Sequence, residues 1–126
     1  SLIVLASAFS GFNSVAHADI LAGGSISGGP TQDVAACFIF NAGNGSVQIT
    51  SKKILKEPNI LQVAAFDTCG ATLAAGSSCQ IAVTSGIVQH AGYMCRIVVS
   101  PSGADVRGSF ELRDNTGHIL NNVELR

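Results

Sequence analysis

Tryptophan is absent from this chain, tyrosine and methionine occur once each, and proline only three times. Charge is equally scarce: Asp, Glu, Lys and Arg make up 12% of the 126 residues and sum to −1, about half the usual quarter. Without a basic excess there is no stripe to neutralise nucleic-acid phosphates and no polybasic patch for an anionic membrane. A hydrophobic share of 47% excludes a disordered tail, which would be polar and charged. No apolar run reaches the roughly 20 residues of a membrane-spanning helix. Residues 2–12 (LIVLASAFSGF) come nearest and carry no charge.

That run is followed by Asn13-Ser14-Val15 and then by the small-residue triplet Ala16-His17-Ala18. An apolar core of about 7–15 residues followed by an A-x-A triplet is the pattern of a secretory signal peptide. The reading predicts a signal at 1–18, already under way at Ser1, with cleavage after Ala18. No cysteine follows the run to carry a lipid anchor, so the expected product is secreted or periplasmic. Four cysteines, Cys37, Cys69, Cys79 and Cys95, suit an oxidising compartment and permit three pairings. Cys69 and Cys79 stand ten apart with Gly70 and Gly76 between them, a spacing that suits a closed loop and leaves Cys37 for Cys95. A zinc or thioredoxin-like role lacks its spacing, since no C-x-x-C or H-x-x-x-H pair occurs. No cofactor or metal is expected.

Residues 19–33 (DILAGGSISGGPTQD) are rich in Gly and Ser, lack periodicity, and read as a flexible leader to a domain at 34–126. From Val34 onward, short apolar segments alternate with turn signals. Residues 34–41 are apolar on both faces, as a central strand requires. The turn 41–45, whose Asn and Gly tolerate positive φ, leads to an alternating segment at 46–54. Glu57-Pro58-Asn59 breaks the chain before 60–66, and further strands are expected at 79–84, 93–100, 106–113 and 119–125. In 106–113, Val106, Gly108, Phe110 and Leu112 alternate with Arg107, Ser109, Glu111 and Arg113. Period-two patterning without a 3.6-residue stripe predicts an all-β, antiparallel structure. About seven short strands point to an immunoglobulin-like β-sandwich. Cys37 and Cys95 would pin its sheets, and Tyr93 stands where a tyrosine-corner residue would, two before Cys95. With no tryptophan, Phe38, Phe40, Phe66 and Phe110 are expected to fill the core.

The segment Cys69-Gly70-Ala71-Thr72-Leu73-Ala74-Ala75-Gly76-Ser77-Ser78-Cys79, running into Gln80-Ile81-Ala82-Val83, resembles one recurrent in bacterial exported immunoglobulin-like domains of the ASPM–SPD-2–Hydin and choice-of-anchor type. Asn41-Ala42-Gly43 and Val47-Gln48-Ile49-Thr50-Ser51 match that group's N-x-G turn and V-x-I-x-S strand. The resemblance covers about residues 34–84. Ser85-Gly86-Ile87-Val88-Gln89 stands where the group continues with an F-x-P-x-x-x-G stretch. The resemblance implies a non-catalytic module for display, adhesion or assembly, with another envelope or surface protein as partner, and supplies no catalytic residue.

The residues agree in offering little chemistry. His17 falls in the signal segment, His90 and His118 fall in expected turns, and no G-x-S-x-G is present. Asp67 with Asp105, or Glu111 with Asp114, could form acid–base pairs but read more simply as turn and solvent residues. Asp114-Asn115 offers too few oxygens for Ca²⁺. Lys52, Lys53 and Lys56 suit an edge guarded against sheet-to-sheet association, and Asn44-Gly45-Ser46 reads as a turn despite matching a glycosylation sequon. Two alternatives stand beside the interaction module: a fimbrial-type subunit assembled by strand exchange, for which residues 19–33 look a poor donor, and a small disulfide-stabilised enzyme or inhibitor.

Overall fold

The computed structural model describes residues 18–126. The expected signal segment, except Ala18, lies outside the described residues. Among the described residues ten strands follow one another: β1 (Asp19–Ile26), β2 (Val34–Asn41), β3 (Val47–Lys56), β4 (Ile60–Leu61), β5 (Phe66–Asp67), β6 (Thr72–Leu73), β7 (Ser78–Val83), β8 (Tyr93–Ser100), β9 (Val106–Arg113) and β10 (Ile119–Glu124). They form two sheets, one ordered β1-β8-β3-β4 with β6 also on β3, the other ordered β10-β9-β2-β7-β5. Every pairing is antiparallel. The chain is an all-β sandwich, and no helix among the described residues is long and apolar enough to cross a membrane.

Alternation sets the packing, because successive side chains leave a strand on opposite faces. On β8, Tyr93, Cys95, Ile97 and Val99 are fully buried while Met94, Arg96, Val98 and Ser100 are half-buried. On β9, Phe110 and Leu112 are fully buried. β2 lies between β9 and β7 and contributes Ala35, Cys37 and Ile39 to the interior. Cys37 is bonded to Cys95 across the sheets, with Cα atoms 6.3 Å apart, and Cys69 to Cys79. The buried Tyr93 hydroxyl accepts the Val88 N–H at 2.8 Å, the backward bond of a tyrosine corner. Buried Asn41 ties its turn shut, donating to the Gly45 and Leu73 carbonyls and accepting from the Gly43 N–H.

Three expectations are corrected. Residues 19–26 are a strand, paired with β8 from Asp19↔Val99 to Ile26↔Tyr93, rather than part of a flexible leader. The glycines that suggest flexibility are there because space is short. A Cβ on Gly23 would stand 2.9 Å from the Glu124 carbonyl oxygen, and one on Gly24, at φ +125°, 2.6 Å from the Met94 Cβ. The stretch 60–66 holds only β4 and the first residue of β5, which join different sheets. Seven strands exceed two residues, with β1 taking the place expected of 60–66. Finally, of the four phenylalanines assigned to the core only Phe110 is buried. Cys37 and Ile39 occupy the inward positions of β2, so Phe38 and Phe40 point the other way.

Candidate functional site

The displaced phenylalanines define the most distinctive surface of the molecule. Phe38 and Phe40 stand on the outer face of β2, opposite Gln80 and Ser78 on β7, and Phe66 of β5 is opposite Ala82 on that same strand. Phe40 is 44% and Phe66 47% exposed. The three line one concavity of about 850 Å³, with Thr68, Gln80, Arg107, Ser109 and Glu124 around them. That volume lies within the range of small-ligand clefts.

Charge is arranged at its margins. The Arg113 guanidinium lies 5.6 Å from the centre of the Phe38 ring, inside the distance of a cation–π contact, and is held there by Glu111 at 2.5 and 2.8 Å. Arg107 donates to the Ala104 and Val106 carbonyls at 2.8 and 3.1 Å, which fixes its stem beside the hollow. Aromatic faces with a few oriented polar groups around them can bind an apolar or aromatic group and set its direction.

The residues considered for catalysis are dispersed. Asp67 pairs with Lys52 at 3.0 Å, while Asp105 stands beside Gly43 in another turn. Glu111 is occupied by Arg113. Asp114 closes the β9–β10 turn: its Oδ1 accepts the Thr116 hydroxyl at 2.7 Å and the Thr116 and His118 N–H groups at 2.9 and 3.0 Å. The Thr116 hydroxyl does most to hold its carboxyl down at about 2; burial works against this and the His118 and Thr116 N–H groups add to it. His118 is 82% exposed in that turn, and His90 occupies a separate exposed turn at φ 63°. Among the described residues no group of three His, Cys, Asp or Glu side chains is placed to hold a metal ion.

Lys52 does more than stand on the flank of its sheet. β8 covers one side of β3, while β6 and β4 cover only the ends of the other; from β3 Lys52 bridges to Asp67 and the Cys69 carbonyl, tying the two sheets at their flank. Composition gives no hint of this tie, which depends on where β5 lands. The aromatic face was open to sequence reasoning, because placing Cys37 inward obliges Phe38 and Phe40 to face outward.

No family model and no curated protein matches the chain. Among solved structures, the crystal structure of Thermotoga maritima 1070 is similar to it at 16% identity and a TM-score of 0.46, over 86% of this chain and 90% of that one.

Proposed function

We propose that the chain is an exported, non-catalytic interaction module, secreted or periplasmic, with a structural or adhesive role at the bacterial cell envelope. It docks another envelope protein through the hollow outer face of the β10-β9-β2-β7-β5 sheet. The observation that carries the reading is the exposure of Phe40 and Phe66 in one concavity with Phe38. Aromatic side chains, phenylalanine included, are enriched at protein interfaces relative to the rest of the surface, and these three stand outside the core. Two disulfides suit the oxidising, extracytoplasmic setting in which such a module works.

The test is saturable co-sedimentation of the disulfide-bonded protein with envelope fractions of its own source. Replacing both exposed rings (F40S with F66S) should leave the melting temperature within a few degrees and weaken binding at least about tenfold. Unchanged binding by a folded double variant overturns the proposal.

A further inference from the structure

We propose that β1 is an exchangeable strand, through which copies of this chain join by placing β1 of one copy on β8 of the next. Three observations carry this, none of them involving the aromatic face.

The first is how β1 is held. Along one side it pairs with β8. On its other side the backbone bonds are the reciprocal pair between Ala22 and Arg126. Leu21 is its one buried side chain, and Ile20 is 54% exposed. Both disulfides begin at or after Cys37, so the body from β2 onward keeps its cross-links when β1 departs.

The second is what β1 leaves behind. Without it, β8 becomes an open edge above Cys95, Ile97 and Val99, none of which is exposed in the closed form. An uncovered edge recruits a strand, and this one is selective. At its narrow point, side chains in place of Gly23 and Gly24 would meet Glu124, Leu125 and Met94. One turn away, Leu21 lies against Gly103, where a Cβ would come within 2.9 Å of its Cδ1. An occupant needs a leucine followed at the second and third positions by two glycines. Residues 19–26 of a second copy have that pattern. The segment that looks a poor donor for want of alternating apolar residues fits through its glycines.

The third is the connection. Gly28, Gly29 and Pro30 join β1 to β2, with Gly29 at φ +86°. Buried Gln32 anchors the body end of this hinge, donating to the Val88 and Ala91 carbonyls at 2.6 and 2.9 Å and accepting the Gly28 N–H at 2.6 Å. The hinge straightens once three bonds release, that of the Gly28 N–H and those that the Ser27 and Gly29 carbonyls accept from Asn121 and His90; Gln32 stays seated meanwhile, the arrangement in which an identical element passes between protomers.

The experiment mixes two single variants of the exported, oxidised protein, A22C and R96C, at high concentration and then oxidises them. Positions 22 and 96 face each other in the β1–β8 pairing and both lie on its outer side. Exchange yields a disulfide between positions 22 and 96 of different chains, seen as a species of twice the chain mass on non-reducing gels and as a linked peptide by mass spectrometry. A second measurement uses a labelled synthetic peptide of residues 18–28, which the unmodified protein takes up one per chain, at least tenfold more than a peptide carrying L21D. Absence of both the interchain link and the peptide uptake, after long incubation and after a pulse of mild urea, overturns the proposal.

Discussion

Phe110 and Phe40 are the same residue type under opposite demands. Phe110 is fully buried between the sheets, whereas Phe40 is 44% exposed on the outer face. Truncating Phe110 to alanine removes its transfer free energy and leaves a cavity, at a cost of about 3–5 kcal/mol. The same change at Phe40, whose ring is already nearly half in solvent, should cost no more than about 1.5 kcal/mol. Urea unfolding of the two variants measures both, and a large loss at Phe40 would mean that the outer face helps hold the fold. Side-chain parity made this difference legible in the sequence: Cys37 inward forces its neighbours outward. Amino-acid type alone misleads here, because four phenylalanines in a chain without tryptophan invite assignment to the core.

At the level of the elements, turns and strands differ in how openly they declare themselves. The β9–β10 turn is announced by Asp114-Asn115-Thr116-Gly117, and its carboxylate does the work such a residue does in a turn. Because the folded carboxyl is held at about 2, below its ordinary value, its contribution is complete above about pH 4. It is lost as pH falls through the folded value. The Thr116 and His118 amide resonances should therefore shift together with a midpoint near pH 2, and T116V should raise that midpoint toward the ordinary carboxylate range. β1 is the opposite case. Its glycines are indistinguishable from those of a linker until Val123, Glu124, Leu125 and Met94 are seen crowding them. Those neighbours lie about 70 or 100 positions along the chain, beyond the reach of any local pattern. Residues 60–66 misled in the other direction: their apolar content reads as one strand, yet β4 and β5 part company to serve different sheets.

At the level of the whole molecule, two cross-links act on very different lengths of chain. The Cys37–Cys95 bridge closes a separation of 58 residues and the Cys69–Cys79 bridge one of 10. By loop entropy the longer constrains the unfolded chain more, at about 4 kcal/mol against about 3 for the shorter. Replacing Cys37 and Cys95 together by alanine should lower the urea midpoint further than replacing Cys69 and Cys79, the more so because the first pair also sits fully buried between the sheets. Equal losses would mean that neither loop length nor burial sets what each bridge contributes. The nesting of the short loop within the long one has a bearing on proteolysis. A protease cutting the exposed stretch at 60–66 severs the backbone, yet both fragments stay joined through Cys37 and Cys95. A clipped molecule would migrate as intact on a non-reducing gel and separate into two pieces only once a thiol is added.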